Sequence, residues 1–129
     1  MHPLRLAVEC GEHTAVEALL ADDVVFTSPV AYRPYPGKPI TAAILRAVSG
    51  VFSNFRYVRE ITSADGHDHA LIFTAQVGDK EVNGCDFVHT DEDGLIDDFM
   101  VMVRPLSAAN ALAEAMAARF EQIKQEAGA

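Results

Sequence analysis

Asp86 is an acidic residue inside an otherwise apolar segment, with Cys85 and Phe87 on either side. Successive side chains of a β-strand point to opposite faces, so Asp86 would share one face with Gly84 and Val88. A carboxyl on a buried face loses its hydration, which raises its pKa and lets it act as a neutral hydrogen-bond donor or a general acid. The alternative is a structural carboxyl that a backbone amide satisfies, or an edge residue that faces water. The pattern makes Asp86 the first candidate for acid–base chemistry.

Two hydroxyl residues, Ser28 and Tyr32, are candidate helpers of Asp86 at the mouth or wall of the same site. The alternative is a turn serine and a packing tyrosine, since turns favour such residues for conformational reasons. Apolar side chains would complete the wall of a ligand pocket, although core packing is the usual role of aromatic residues on a buried face. The predicted pocket wall comprises Leu4, Phe26, Phe52, Tyr57, Phe73, Phe99 and Val101.

Other kinds of chemistry lack their sequence patterns. His67 and His69 flank a turn, but a metal ion needs further converging ligands. A Ser-His-Asp set would need a GxSxG elbow, which is missing. The acidic run Asp91-Glu92-Asp93 before Gly94 lacks the remaining ligands of a calcium-binding loop. We therefore expect neither a metal ion nor an organic cofactor.

Length and charge restrict the class of protein. The chain has 129 residues, of which 50% are hydrophobic and 22% charged, so one domain over residues 1–129 is expected. Nineteen acidic against ten basic residues give a net charge of −9, which disfavours nucleic acid and anionic membrane surfaces as partners. No apolar run approaches the roughly 20 residues of a membrane span, and the start lacks the pattern of a secretory signal. Cys10 and Cys85 are expected to be small buried thiols rather than a disulfide, which suits a reducing cytoplasm.

The hydrophobic periodicity predicts an α+β order in which helices precede an antiparallel meander. Residues 29–39 are rich in proline and are expected to be irregular. Short turns between the last four strands indicate hairpins. Ser107 is a candidate cap for the final helix. The predicted elements are helix 4–9, a helix from residue 14 that Asp22 and Asp23 close, strand 24–28, helix 39–52, strands 55–62, 71–77, 82–90 and 95–104, and helix 107–126.

Two segments resemble ketosteroid isomerases and SnoaL-like polyketide cyclases. Residues 20–30, LADDVVFTSPV, are similar to one motif of that family, and residues 86–96, DFVHTDEDGLI, are similar to its ending. The helix after Gly37 also looks like the family, so the resemblance covers nearly all of residues 4–104. It implies a cone-shaped α+β barrel of the nuclear transport factor two-like type, in which the sheet wraps around N-terminal helices and Asp86 faces the inside. It also implies a homodimer that pairs through the outer face of the sheet.

The isomerase pattern carries over only in part. The position of the family's general-base aspartate falls on Ser28, and that of its oxyanion-hole tyrosine falls on Leu4. The position of its oxyanion-hole acid falls on Asp86 and is retained. A serine does not abstract a carbon-bound proton at neutral pH without an activating base, so steroid isomerisation by the family mechanism is not expected. In epoxide-hydrolase relatives an aspartate of the last strand is needed, and Val101 stands at that position.

The resemblance and the residues together support one leading function. The leading hypothesis is a pocket protein for a small apolar metabolite, which isomerises, cyclises or hydrates it with Asp86 as acid and base. The alternative is a non-catalytic ligand carrier, sensor or dimerisation module of the same fold. A protein-binding scaffold is a third class, and it would need a partner on the outer sheet face or on the terminal helix. Apolar residues of the outer face favour a homodimer, and they are Ile72, Cys85, Phe87, Met100 and Met102.

Overall fold

The computed structural model describes residues 1–128, and Ala129, the last residue of the predicted domain, lies outside them. The described residues form five helices and six strands. In chain order they are α1 (Pro3–Glu9), α2 (His13–Ala18), β1 (Leu20–Thr27), β2 (Tyr35–Pro36), α3 (Lys38–Val51), β3 (Ser53–Thr62), β4 (Asp68–Val77), β5 (Lys80–Thr90), β6 (Ile96–Arg104), α4 (Leu106–Ala117) and α5 (Phe120–Glu126).

The six strands form one curved sheet in the order β2-β1-β6-β5-β4-β3. The antiparallel meander from β3 to β6 is confirmed. β1, however, runs parallel to β6, with Phe26 opposite Phe99, so the sheet is mixed and the expectation of a wholly antiparallel sheet was wrong. These two strands lie far apart in the chain, and no hairpin turn forces them to run antiparallel.

Helices cover the concave face of the sheet and close the cone. α1 contributes Leu4, α3 contributes Ala43 and α4 contributes Leu112 to a core that also holds the inward side chains of the strands. All three residues are almost fully removed from solvent. The architecture is thus the α+β cone that the sequence predicted, with additional helical structure at its C-terminal end.

β1 begins earlier than the sequence indicated. Asp22 and Asp23 lie within β1 and do not end α2. The strand begins at Leu20 because Leu20 and Ala21 are buried, while an irregularity in the pairing between Leu20 and Val25 leaves the two aspartates exposed. Such a bulge lets one strand carry a polar and an apolar stretch in succession.

A second irregularity changes the faces of β3. The alternation of a regular strand over residues 55–62 would put Arg59 and Ile61 on the face of Tyr57, and the structure does not have them there. The pairing with β4 shifts between Tyr57 and Arg59, so Arg59 and Ile61 lie exposed while Glu60 turns toward α1. One extra residue in a strand reverses the faces that follow it.

The predicted helix over residues 107–126 is divided into α4 and α5, with Ala118 and Arg119 between them. Ser107 does not cap it, because Pro105 holds the N-cap position without a side-chain hydrogen bond. The change of direction lets α5 pack on the core through Ile123. Within residues 1–128 no helix combines the length and the apolar character needed to span a bilayer.

The two cysteines are free thiols. Cys85 is half-buried in β5, but Cys10 is exposed, so the expectation that both are buried was wrong for Cys10. It forms the C-cap of α1, where the chain turns into an exposed loop.

Candidate active site

Asp86 lies in β5 on the concave face of the sheet, and it is only 6% exposed. Gly84 and Val88 share this face, as strand alternation indicated. The Tyr57 hydroxyl of β3 donates a hydrogen bond of 2.6 Å to Asp86 Oδ2. Within residues 1–128 no second hydrogen bond reaches this carboxyl, so one carboxyl oxygen is left for a ligand.

Burial controls the protonation of this pair. Loss of hydration raises the pKa of Asp86 to about 7, and the hydrogen bond from Tyr57 opposes that rise. Burial, followed by the nearby charge of Asp86, raises the pKa of Tyr57 far above its ordinary range. Asp86 is therefore present in both protonation states at neutral pH, whereas Tyr57 stays a phenol.

A cavity of about 290 Å³ opens in front of Asp86. Its volume lies near the lower end of the range for small-molecule sites. The structure brings together Asp86, Ser28 and the seven residues expected in the wall, which are Leu4, Phe26, Phe52, Tyr57, Phe73, Phe99 and Val101.

Tyr32 is not part of this cavity, and its prediction as a helper of Asp86 was wrong. Its surface is 98% exposed, in the irregular segment between β1 and β2. The short strand β2 pairs with β1 and brings Tyr35 against the core instead, 6.3 Å from the ring of Phe120. The proline-rich segment gave no periodicity from which to choose between the two tyrosines.

Ser28 lines the cavity, but its hydroxyl is used in a turn. The Val30 backbone N–H donates to Ser28 Oγ at 3.1 Å. This matches the alternative interpretation of a turn serine, although the residue also touches the cavity. No carboxylate or imidazole among the described residues contacts its hydroxyl, so nothing there activates it as a base or nucleophile.

An aromatic cluster forms one side of the cavity, and the predicted wall lacked one of its members. Phe55 stacks on Phe73 at 4.7 Å and meets Tyr57 edge-on at 5.0 Å. Phe52 packs 5.7 Å from Phe55 and 5.6 Å from Phe73. Phe55 was recognisable from the sequence, because it shares the face of Tyr57 two residues away.

Solved structures resemble this chain closely. A steroid delta-isomerase from Pseudomonas aeruginosa is 42% identical, with a TM-score of 0.86, over 90% of this chain and 85% of that chain. An uncharacterised bacterial protein with a cystatin-like fold from Silicibacter pomeroyi is 38% identical, with the same TM-score of 0.86, over 98% of this chain and 95% of that chain. The chain belongs to the ketosteroid-isomerase-like family.

More distant structures show the fold alone. An NTF2-like protein from Cytophaga hutchinsonii is 18% identical, with a TM-score of 0.61, over 80% of this chain and 85% of that chain. No family model matches the sequence, and no curated protein matches it. Membership of the ketosteroid-isomerase-like family thus rests on the two structures that share more than a third of their residues with this one.

The mouth of the cavity in this ketosteroid-isomerase-like protein carries charged side chains that sequence patterns did not reveal. Glu12, His13, Glu17 and Arg46 line it from α2, the turn before it and α3. Arg46 is already paired, since its Nη1 lies 3.2 Å from Glu17 Oε2 and its Nε lies 3.5 Å from Glu126 Oε2. Two carboxylates thus surround the one guanidinium among the described residues that line the cavity.

Gly84 allows the ring of Phe73 to lie flat against β5. A β-carbon on Gly84 would stand 2.2 Å from Phe73 Cζ and 2.6 Å from Cε2. Phe73 is opposite Gly84 in the pairing of β4 with β5, and it is also opposite Tyr57 across β3. Phe73 thus lies on β4, the strand that the Tyr57 side chain crosses to reach Asp86.

The histidines do not form a metal site. Among residues 1–128 no three side chains of histidine, cysteine, aspartate or glutamate converge as metal ligands. His69 instead lies 3.1 Å from Thr62 Oγ1 and packs on the ring of His2 at 4.4 Å. His67 Nδ1 lies 2.7 Å from the carbonyl oxygen of Thr90.

Gly84→Ala should destabilise the protein, because the new methyl group forces the buried Phe73 ring away from β5. We expect a loss of about 1–3 kcal/mol in the free energy of unfolding, as for other overpacked cores. Gly50→Ala is the matched control, since its β-carbon in α3 would meet its nearest neighbour only at 3.9 Å. That control should gain up to about 1 kcal/mol from helix propensity. Equal urea midpoints for both variants would contradict the close contact.

Asp86→Asn should stabilise the protein increasingly as pH rises. The folded pKa of about 7 exceeds the ordinary value of 3.8, so the folded state holds more protons than the unfolded state between these values. The free energy of unfolding of the wild type therefore falls as pH rises from about 4 to about 7. The asparagine variant does not lose this stability, because its side chain does not titrate. We expect a gain of up to a few kcal/mol at pH 8 and a much smaller difference at pH 4.

Urea unfolding across this pH range measures the difference between the two proteins. Asp79→Asn serves as the control, because Asp79 is exposed in the turn between β4 and β5. A stability difference between wild type and Asp86→Asn that does not change with pH would show that Asp86 does not titrate in this window.

Proposed function

We propose that this protein binds a small apolar molecule in the cavity and exchanges a proton with it, or polarises one of its oxygens, through Asp86. One observation carries the proposal: a buried carboxyl, for which Tyr57 at 2.6 Å is the only hydrogen-bond partner within residues 1–128, lies in the wall of a mostly apolar cavity. Burial of an acid costs stability, and functional sites are where such costs concentrate.

Isomerase-type chemistry suits this carboxyl. In its protonated form Asp86 can donate a hydrogen bond to a carbonyl oxygen, which stabilises the negative charge that develops when a neighbouring carbon loses a proton. In its ionised form it can accept a proton. A pKa of about 7 places both forms at neutral pH, where a general acid–base group is most effective. The similarity to the structure described as a steroid delta-isomerase supports this class of reaction.

The ligand that fits is neutral and mostly apolar, with one oxygen for Asp86. Aromatic and aliphatic side chains form most of the wall. The single arginine among the lining residues is held by Glu17 and Glu126, so it provides no anchor for a carboxylate or phosphate. Enones, lactones, epoxides and polyketide-like aromatic compounds meet these requirements.

A non-catalytic carrier is the second candidate, and Ser28 is the observation that favours it. The family position of the general base holds a serine whose oxygen accepts a hydrogen bond within a turn. Asp86 is then the one buried acid among the described residues of the cavity wall. A protein that kept the cavity and lost the second proton-transfer group would bind the ligand and release it unchanged.

A thermal-shift screen separates the candidates. Wild type, Asp86→Asn, Tyr57→Phe and the exposed control Asp79→Asn are heated with each compound class at pH 5.5 and pH 8.5. We expect a ligand that stabilises wild type and Asp79→Asn, and loses most of this effect in Asp86→Asn, because the asparagine neither ionises nor offers a carboxyl proton. Equal shifts in all four proteins, or none with any class, would overturn the proposal.

Proton exchange distinguishes an enzyme from a carrier. Each stabilising compound is incubated with the protein in deuterium oxide and followed by proton NMR. Incorporation of deuterium beside the carbonyl, or a new product, abolished in Asp86→Asn, identifies the enzyme. Binding without exchange at either pH identifies the carrier.

A homodimer through the outer face of the sheet is a further proposal, which the resemblance to the family suggests. Phe87 is 40% and Met102 is 55% exposed on that face, and a second copy of the sheet would cover them.

The cytoplasm is the compartment that we propose for this protein, because both thiols are free.

Phe87→Lys should convert the proposed dimer into a monomer, because a buried lysine at the interface has no partner for its charge. Light scattering after size-exclusion chromatography gives the mass. Leu106→Lys is the control, as Leu106 is exposed and belongs to α4 and not to the sheet. A wild type of monomer mass, or a Phe87→Lys variant of dimer mass, would contradict this arrangement.

A further inference from the structure

We propose that Arg5 and Glu9 of α1 are positioning residues of the site, which hold the backbone of Tyr57 so that its hydroxyl remains on Asp86. This inference rests on the proposed function of Asp86. It adds two residues of α1, which contact the edge strand β3. Neither Arg5 nor Glu9 lines the cavity, so their effect on a ligand would pass through Tyr57.

Both peptide groups of Tyr57 are engaged by α1. The Tyr57 N–H donates to Glu9 Oε2 at 3.4 Å, and the Tyr57 carbonyl oxygen accepts from Arg5 Nη2 at 3.4 Å. β3 is an edge strand, so polar groups on its outer side have no strand partner. α1 thus supplies, with two charged side chains, the hydrogen bonds that a further strand would have made.

The two side chains also hold each other in place. Arg5 Nε lies 3.5 Å from Glu9 Oε1, one helical turn away. Arg5 Nη1 lies 3.8 Å from Glu60 Oε1, and the His2 backbone N–H donates to Glu60 Oε2 at 3.0 Å. Glu60 reaches α1 only because the bulge after Tyr57 reverses the faces of β3. The clamp, made of Arg5, Glu9 and Glu60, therefore surrounds the point where β3 departs from regular pairing.

Anchoring of the helix does not by itself explain this arrangement. α1 is already attached to the core through Leu4 and Ala7, both buried. Charged side chains that are only partly buried add little to such an attachment. Their contacts converge on the peptide groups of one residue, Tyr57, which is the sole hydrogen-bond partner of the Asp86 side chain within residues 1–128.

The clamp should affect the pKa of Asp86 through one residue, Tyr57. The charged and titratable groups that act on Tyr57 are Asp86, Glu9 and Arg5, and the group that acts on Asp86 is Tyr57. If the backbone of Tyr57 loosens, its hydroxyl spends less time on Asp86. The hydrogen bond that lowers the pKa of Asp86 is then weakened, and this pKa rises.

Carbon-13 NMR of labelled aspartate carboxyls follows the titration of Asp86 without any ligand. Tyr57→Phe removes the hydrogen bond and should raise the pKa of Asp86 by about one unit. Arg5→Met and Glu9→Ala should raise it in the same direction by at least about a third of that shift. Glu9→Gln keeps an oxygen for the Tyr57 N–H and should restore a value close to wild type. Arg56→Met, at an exposed neighbour on β3, is the control and should change nothing.

The outcomes separate this inference from the proposed function. A raised pKa of Asp86 in wild type that stays unchanged in Arg5→Met and Glu9→Ala overturns the clamp and leaves the proposed function standing. A wild-type pKa near the ordinary aspartate value overturns both. Should Arg5→Met fail to fold, Glu9→Ala with its Glu9→Gln rescue decides the question, because a general loss of stability would not be reversed by the amide in the same way.

Discussion

The hydrogen bond between Tyr57 and Asp86 is the interaction on which the candidate site depends. An ionised carboxyl inside an apolar cavity is costly, and one phenol offsets only part of that cost. The pKa of Asp86 consequently settles near 7 instead of near 4. Full solvation would leave an ordinary carboxylate, and a second donor would stabilise the ionised form, so the incomplete satisfaction of Asp86 is what gives it two accessible protonation states.

The geometry of the sheet makes this contact available. β4 lies between β3 and β5, so the Tyr57 hydroxyl must cross a strand to reach Asp86. The sheet is curved, which shortens that path, and the ring of Phe73 packs closely on Gly84 of β5. The rings of Phe73 and Tyr57 pack edge-on, at 87° and 6.2 Å. This packing restricts the orientation of the Tyr57 phenol ring. Gly84, the ring of Phe73 and the bulge in β3 all lie next to the strand positions that this contact joins.

The sequence predicted what depends on local alternation and missed what depends on distant pairing. The position of the Asp86 side chain on the concave face was predicted from alternation in β5 together with the family resemblance. The hydrogen bond to Tyr57 was not predicted, because it joins strands that are not neighbours. The bulge after Tyr57 was hidden, since Arg59 and Ile61 fit a regular strand as well. Tyr32 was predicted as a helper of Asp86, and only the pairing of β2 with β1 shows that Tyr35 packs against the core instead.

Membership of the ketosteroid-isomerase-like family does not by itself determine the reaction, because the cavity keeps only part of the family's chemistry. Transfer of a proton from one carbon to another needs a group that takes the proton and returns it. Where the family pattern has a carboxylate, Ser28 is tied into a turn. In the proposed reaction that task falls on Asp86, whose pKa of about 7 makes both halves of the transfer accessible to one residue. With one buried acid among the described residues of the cavity wall, the proposed reaction favours ligands whose donor and acceptor carbons both lie within reach of the same carboxyl.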